Sequence, residues 1–229
     1  MMKVFSISEK GKRENNEDFI LSSQVSSDCS LFLVADGMGG YSYGEIASSI
    51  ACSSISEYIQ SNFEQSNKKQ LIIDALDLAN QKIKKKREEF SSKMGTTIAG
   101  TLIAGNNALC FWLGDVRLYH FRNNEIIFQS EDHSLINEMK KKGDVTIKEI
   151  ERFGNIVTKS LSGTTYDEEP SIIELSLIPE DILVLCTDGL WQKIDVLSVI
   201  DLSQDEIQNQ ISEYVDLMDD NYSFLKISV

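Results

Sequence analysis

The chain has 229 residues, of which 41% are hydrophobic and 25% charged, a balance typical of a soluble globular protein with a substantial core. Its 36 acidic and 22 basic side chains give a formal net charge of −14, which argues against non-specific binding to nucleic acid or anionic membranes. No stretch approaches the roughly 20 apolar residues of a membrane span, and the first residues lack the apolar segment of a secretory leader. The four cysteines are scattered without a C-x-x-C pair, so we expect free thiols and a cytoplasmic location.

The first half of the chain predicts one buried strand followed by two helices. Leu31–Ala35 is an uninterrupted apolar run typical of a strand that is covered on both faces. Apolar residues at helical spacing predict helices over Tyr43–Asn62 and Lys68–Phe90. The second helix contains the charge run KIKKKREE at 82–89, which we interpret as a solvated face.

The second half predicts short strands joined by tight turns. The strands are Ile98–Ala104, Ala108–Leu113, Arg117–Arg122, Glu125–Gln129, Ser171–Ser176 and Ile182–Cys186. Asn106-Asn107 and Asn123-Asn124 are predicted turns, since Asn tolerates left-handed backbone conformations, and such turns indicate antiparallel pairing. A further helix is predicted over Leu135–Lys142, with Gly143 as its C-cap. Strands in the middle with helices on either side predict an α+β fold rather than strict βαβ alternation.

Two apolar strands run into an aspartate followed by glycine, and these aspartates are candidate metal ligands. Asp36 follows LFLVA and Asp188 follows ILVLCT. If both carboxylates meet at one sheet edge, protonation or cations must neutralise them, and carboxylate oxygens suit Mg²⁺ or Mn²⁺. Glycine beside the aspartate leaves its own carbonyl accessible as a further ligand. The alternative is that each Asp-Gly forms only a turn at a strand end.

Eight short motifs in a fixed order carry a family resemblance. They are Arg13-x-x-x-Glu17-Asp18, Asp36-Gly-Met-Gly-Gly40, Gly95-Thr-Thr97, Gly114-Asp-Val-Arg117, Asp132-His-Ser134, NIVTKSLSG at 155–163, Thr187-Asp-Gly189 and Asp220-Asn221. The series resembles the metal-dependent Ser/Thr protein phosphatases of type 2C, the PPM family, in their compact bacterial form. The resemblance covers almost the whole chain, from about Gly11 onward, and implies a single catalytic domain over 1–229.

The resemblance implies a sandwich of two antiparallel β-sheets flanked by α-helices, in four α-β-β-α layers, with a dinuclear Mg²⁺/Mn²⁺ centre at one end. By position, Asp36 matches the carboxylate that bridges both metals, and Gly37 matches the residue whose carbonyl binds one of them. Further matched residues complete the site: Asp188 and Asp220 as ligands of the other metal, Glu17 and Asp18 as acids that hold coordinated waters, Asp115 as the acid of a third metal, and Arg13 as the arginine that grips the substrate phosphate.

Several features leave alternatives open. Asp219 is the alternative to Asp220, and a local contact with Glu17 is the alternative role for Arg13. Met38 stands where many eukaryotic relatives carry a histidine that protonates the leaving group, and we expect His120 to be structural. The segment Ser134–Phe153 resembles the mobile flap beside the site.

We therefore expect a metal-dependent enzyme that hydrolyses phosphoserine and phosphothreonine in proteins. Its partners would be phosphorylated proteins, with a Ser/Thr kinase that acts on the same targets, and we expect a monomer that binds neither nucleic acid nor membrane. The alternative is a catalytically silent, phosphatase-like module that binds a partner.

Gly39 and Gly40 are expected to turn the chain tightly into the next helix.

Overall fold

The computed structural model describes residues 2–38, 43–64, 67–164 and 169–229, so Gly39 and Gly40 lie outside the described residues. The strands are β1 (Lys3–Glu9), β2 (Asp18–Ser26), β3 (Cys29–Gly37), β4 (Thr96–Ala104), β5 (Asn107–Leu113), β6 (Arg117–Arg122), β7 (Glu125–Gln129), β8 (Ser171–Ser176), β9 (Ile182–Cys186) and β10 (Tyr222–Ser228). The helices are α1 (Gly44–Asn62), α2 (Lys68–Phe90), α3 (Leu135–Lys142), α4 (Ile147–Phe153), α5 (Asp188–Trp191) and α6 (Gln204–Glu213).

The strands form two antiparallel five-stranded sheets. One, which we call the β3 sheet, has the order β2-β3-β4-β5-β8, and the other, the β9 sheet, has the order β1-β10-β9-β6-β7. The predicted strands after residue 95 match β4 to β9 to within two residues at each end. Asn123 and Asn124 both have positive φ between β6 and β7, as predicted, whereas the β4–β5 turn is Gly105-Asn106 because Asn107 already pairs with Ala104.

Alternate residues of β3 show how the layers are stacked. Leu31, Leu33 and Ala35 belong to a core shared with α1 and α2, while Phe32 and Val34 pack with residues of the β9 sheet. A third core lies between the other face of the β9 sheet and the helices α5 and α6. Burial on both faces explains the continuous apolar run of β3. The predicted sandwich of two antiparallel sheets flanked by helices is confirmed.

The elements that sequence patterns missed are short or half polar. β1 and β2, with the sequences KVFSISE and DFILSSQVS, are edge strands that mix polar and apolar residues without a regular pattern. α4 and α6 have few turns, but each begins with a capping box, Thr146 with Glu149 and Ser203 with Glu206, which is a recognisable start signal. In the part of the chain that the structure describes, no helix combines the length and apolar character needed to cross a membrane.

A buried ion cluster lies at the end of the β9 sheet where β9 begins. Asp181 is fully buried, receives two hydrogen bonds of 2.8 Å from the Arg122 guanidinium, and lies 2.9 Å from His120 Nε2. Burial alone would raise the pKa of Asp181, but the bonds from Arg122, from the Ile178 N–H and from His120 outweigh it and hold the pKa well below its usual range. The charge of Asp181 therefore stabilises the folded state at neutral pH.

We expect Asp181→Asn to lower the free energy of unfolding at pH 7 by about 1–3 kcal/mol, since a charged hydrogen-bonding partner is lost. Because the folded pKa is depressed, the contribution of the charge is complete above the unfolded pKa of about 4 and is lost as the pH falls below it. Urea unfolding from pH 7 to pH 3 should show wild type and variant converging in acid. Asp28→Asn, in the exposed β2–β3 turn, is the control, and parallel curves for wild type and Asp181→Asn would contradict this account.

Candidate metal centre

Two aspartates face each other at one edge of the β3 sheet. Asp18 begins β2, Asp36 lies near the end of β3, and the register pairs them directly. Residues in such positions have Cα atoms about 4.5–5.5 Å apart, and like charges there destabilise a sheet. The pair therefore needs either a proton or a cation between its carboxylates.

Three more aspartates come to this edge from other elements. Asp188 is the first residue of α5, directly after β9; Asp220 precedes β10; and Asp115 lies between β5 and β6. All three raise the pKa of Asp36, so the carboxylates of the two sheets converge at one end of the sandwich. The Asp-Gly turn after each buried strand is thus part of a shared acidic cluster.

Burial and mutual repulsion both raise the pKa values of this cluster. Burial is the larger cause throughout, and neighbouring carboxylates add to it, so that the pKa of Asp18 and of Asp115 is raised to about 7 and that of Asp188 to about 6. The pKa of Asp36 is raised well above its usual range by burial and then by Asp18. These carboxylates are costly to ionise together unless a cation compensates their charge.

The donor set fits hard divalent cations. Carboxylate oxygens are the ligands that Mg²⁺ and Mn²⁺ prefer, and Asp18 Oδ1 is a buried oxygen with no hydrogen-bond partner in the described ranges. As they stand, no three Asp, Glu, His or Cys side chains among the described residues are arranged to enclose an ion.

The loop that carries Glu17 is held against the start of α1. The Glu17 carbonyl accepts hydrogen bonds from Gly37 N–H at 3.1 Å and from the Ser48 hydroxyl at 2.6 Å. A Cβ at Gly44 would lie 2.8 Å from the Glu17 carboxyl carbon, so Gly44 allows this side chain to lie close against the start of α1. Burial, and then Glu45, raise the pKa of Glu17. Glu17 thus lies at the rim of the acidic cluster.

Asn221 ties the two ends of the chain together at the site. Its Oδ1 accepts from Glu17 N–H at 2.9 Å, and its Nδ2 donates to the Lys10 and Asn15 carbonyls at 2.9 and 2.8 Å. In the sequence, Asn221 stands out only as the second residue of the Asp220-Asn221 motif. The side chain is the clamp that fixes the loop carrying Arg13 and Glu17.

Asp219 and Asp220 differ sharply in environment. Asp220 is half-buried and accepts a hydrogen bond of 2.6 Å from Arg13. Asp219 is exposed and pairs with Lys12 at 2.8 Å and with Lys193 at 3.8 Å. Arg13 therefore contacts Asp220 rather than Glu17, although its charge also lowers the pKa of Glu17.

Thr187 links the two sheets beneath the cluster and was missed by sequence analysis. Its hydroxyl donates to Asp18 Oδ2 at 2.9 Å and accepts from Ser223 N–H at 2.8 Å. The side chain is fully buried. The only sequence signal is a threonine between an apolar strand and Asp188, which does not reveal a partner 169 residues away.

The Asp115 loop is held by an aromatic and ionic unit. Trp191 Nε1 donates to the Asp115 carbonyl at 3.2 Å, and the Arg117 guanidinium lies 3.4 Å from the centre of the Trp191 ring. Arg117 also donates two hydrogen bonds, of 2.9 and 2.8 Å, to Asp132. The motifs at 114–117 and 132–134 therefore position one acid of the cluster.

Neither histidine nor Met38 offers a proton donor facing the cluster. His133 Nδ1 accepts from Gly114 N–H at 3.1 Å, and its Nε2 lies 2.9 Å from the Ser171 hydroxyl. His120 is buried against Asp181, at the opposite end of β9 and thus about 20 Å from Asp188. The Met38 methyl packs on Gly95.

The predicted flap lies outside the sandwich next to the Asp115 loop. It comprises α3 and α4, and α4 buries none of its residues. Its base is attached where His133 N–H donates to the Gly114 carbonyl and Thr158 N–H donates to the His133 carbonyl. Lys140, Lys141 and Lys142 are exposed, and Lys141 pairs with Glu131.

Comparisons with known proteins agree on one family. A family model described as protein phosphatase 2C matches residues 8–223. Protein phosphatase PhpP of Streptococcus pneumoniae is 30% identical over 212 residues, which span 90% of this chain and 86% of PhpP. The crystal structure of the S. agalactiae serine/threonine phosphatase superposes with a TM-score of 0.85 at 26% identity, covering 100% of both chains. The catalytic domain of the serine/threonine phosphatase PstP, solved in complex with two manganese ions, gives a TM-score of 0.82 at 24% identity and covers 99% of this chain and 97% of its own.

We expect Thr187→Val to destabilise the protein by about 1–3 kcal/mol, because it leaves Asp18 Oδ2 and Ser223 N–H buried without this partner. Thr187→Ser keeps the hydroxyl and should recover most of the loss. Urea unfolding in the presence of chelator measures both variants without a contribution from cations. Equal midpoints for wild type and Thr187→Val would show that the hydroxyl does not tie the sheets together.

Proposed function

The chain belongs to the protein phosphatase 2C family, and from this premise we propose that it hydrolyses phosphoserine and phosphothreonine in proteins at a dinuclear Mg²⁺ or Mn²⁺ centre. The observation that carries the proposal is the convergence of five carboxylates from both sheets at one end of the sandwich, with Asp18 buried and Asp36, Asp115, Asp188 and Asp220 half-buried. Type 2C phosphatases are metal-dependent hydrolases, and PstP holds two manganese ions.

We assign the ligands from the positions that match the family's motifs, and the convergence of these acids supports the assignment. Asp36 would hold both ions, and the Gly37 carbonyl would bind one of them. Asp188 and Asp220 would bind the second ion from the β9 side. Glu17 and Asp18 would hold coordinated waters, and Asp115 would contribute to a third ion.

When bound, a pair of divalent ions lowers the pKa of water so that hydroxide is available at neutral pH, and offsets charge on the phosphoryl group. Arg13 would bind two phosphate oxygens through its planar guanidinium. Its ion pair with Asp220 suits an exchange in which Asp220 turns to the cation and Arg13 is released to the substrate. The hydrogen bonds of Asn221 hold the Arg13 loop close to both Asp220 and the substrate phosphate.

The leaving alkoxide requires a proton that the two histidines are poorly placed to give. His120 lies at the far end of β9, and both ring nitrogens of His133 are engaged by Gly114 and Ser171. Solvent at the open edge of the site is the remaining source. Met38 in place of histidine is therefore compatible with turnover.

The alternative, a catalytically silent module that binds a partner, is disfavoured by the intact acidic cluster. A module without turnover has no need to hold like charges together at the cost of their desolvation. We also propose that residues 1–229 act as one catalytic domain with a flap at 134–153. Its partners would be phosphorylated proteins and the Ser/Thr kinase that modifies them, in the cytoplasm.

We expect Asp36→Asn and Asp188→Asn each to lower kcat/KM on a phosphothreonine peptide by about a hundredfold or more, since metal binding supplies several kcal/mol of transition-state stabilisation. Chelator should abolish wild-type activity, and added Mn²⁺ should restore it. Full activity in either variant, or indifference to chelator, would refute the mechanism. A wild type that hydrolyses no phosphopeptide with Mn²⁺ would favour the silent module.

The neighbouring aspartates provide a matched pair for testing the ligand assignment. Asp220→Asn should weaken Mn²⁺ binding, measured by calorimetry, by about tenfold or more, because a carboxylate of the donor set is lost. Asp219→Asn makes the same chemical change one residue earlier, at an exposed side chain held by Lys12 and Lys193. It should bind Mn²⁺ like the wild type. The reverse pattern would assign the ligand to Asp219.

A further inference from the structure

A cleft of about 470 Å³ lies between the last turns of α2 and the segment 161–164, and we call it the α2 cleft. Its charged lining residues are Lys84, Arg87, Glu88 and Lys93, and Gly163 and Thr164 form the opposite wall. Among the described residues that line it, three cations against one carboxylate make this cleft basic in a chain whose net charge is −14. The cleft is therefore an exception to the acidic character of the molecule.

The walls of the α2 cleft are held together by specific contacts. Asn80 Oδ1 accepts from Gly163 N–H at 2.7 Å, and Asn80 Nδ2 donates to the Thr164 carbonyl at 2.8 Å. Arg87 donates to the Ser162 carbonyl. A Cβ at Gly163 would lie 2.6 Å from Lys84 Cα, so the segment packs directly on the helix backbone. The spacing between the cationic side chains and the opposite wall is thus built into the fold.

Met38 and Gly95 connect the acidic cluster to the α2 cleft. Met38 follows Gly37, its N–H donates to the Gly95 carbonyl at 3.0 Å, and its methyl lies against Gly95. Gly95 in turn lies next to Ser162, in the segment that forms the opposite wall of the cleft, and two residues after Lys93. The cleft is therefore linked to the cluster through residues that are in direct contact.

The cations of the α2 cleft are available to a ligand. Lys84 and Lys93 are exposed, and neither forms an ion pair with another residue in the ranges that the structure describes. Lys82 and Lys86, on the same helix but outside the cleft, pair with Glu57 and Glu89. The charge run at 82–89, interpreted from sequence as a solvated face, thus contains two lysines paired with glutamates, Lys82 and Lys86, and one lysine, Lys84, that lines the cleft.

We propose that the α2 cleft binds anionic side chains that flank the phosphorylated residue of the protein substrate, so that the enzyme prefers acidic phosphoprotein segments. The anion is a carboxylate or a second phosphate, since both are recognised by lysine and arginine. The negative charge of Glu88 repels an anionic side chain and so weakens its binding in the cleft. This inference rests on the proposed function, because it needs the phosphorylated residue to be held at the acidic cluster.

The test compares phosphothreonine peptides that differ only in their flanks: neutral, glutamate-rich, or carrying a second phosphoserine. The double variant Lys84→Glu/Lys93→Glu should lose about tenfold in kcat/KM on one or both anionic peptides, as two partly exposed ion pairs are reversed. It should lose less than twofold on the neutral peptide and on p-nitrophenyl phosphate. The loss should shrink in 0.5 M salt, where such pairs are screened to within about 4–5 Å.

Matched variants separate the cleft from the general charge of the protein. Lys82→Glu/Lys85→Glu makes the same charge change on α2 outside the cleft and should behave like the wild type on every peptide. Glu88→Gln should act in the opposite direction and raise kcat/KM on anionic peptides about twofold. The anionic peptide that responds identifies the source of the anion.

Equal losses in the two double variants, or no dependence on peptide flanks, would overturn the proposal and leave Lys84 and Arg87 as stabilisers of the helix end. That result is distinct from failure of the proposed function, in which the wild type hydrolyses neither the peptides nor p-nitrophenyl phosphate with Mn²⁺.

Discussion

Asp18 lies directly opposite Asp36 at one end of the β3 sheet. A sheet that places two carboxylates opposite each other gives up stability at that point, and the burial of Asp18 increases the loss. The fold compensates by placing Thr187 beneath one carboxylate and by concentrating apolar burial elsewhere in the two sheets. The proposed function gives this unfavourable pair a use, because a cation held nearby would offset its charge.

The acidic side chains at the two ends of the sandwich have different partners. At the start of β9, Asp181 is neutralised internally by Arg122 and lies beside His120, so this end is complete by itself. At the end of β9, Asp188 lies among other acids that add to the effect of burial in raising its pKa. Arg13, which pairs with Asp220 at this end, has a half-exposed side chain. The same strand thus carries a structural acid at one end and a candidate ligand at the other.

Sequence patterns predicted the interior strands well because those strands are apolar on both faces. The edge strands β1 and β2 escaped detection, whereas β7 and β8, which also lie at sheet edges, were predicted. With β2 unrecognised, the pairing of Asp18 with Asp36 could not be foreseen. The candidate acids were found from their order along the chain, whereas their mutual distances depend on how the sheets pack. Thr187 and Asn221 were not recognised as clamps, since a polar residue next to an aspartate has many ordinary roles in loops.

The ion pair of Arg13 with Asp220 and the arrangement of the lysines on α2 depend on side-chain placement. Periodicity assigns a residue to a face of a helix, but it does not say what packs over that face. Segment 161–164 covers part of α2 through Asn80 and Arg87, and neither contact has a local sequence signal. For this reason, the α2 cleft could not be predicted from the sequence.

The position of β10 determines when during synthesis the site can form. β10 lies between β1 and β9, so the first strand of the chain has no neighbour in the β9 sheet until the last strand has been made. Asn221, which fixes the Arg13 loop, arrives with that last strand. A chain still emerging from the ribosome therefore lacks both the clamp and Asp220 until residues 220 and 221 have been made, although the other acids of the cluster come earlier in the sequence.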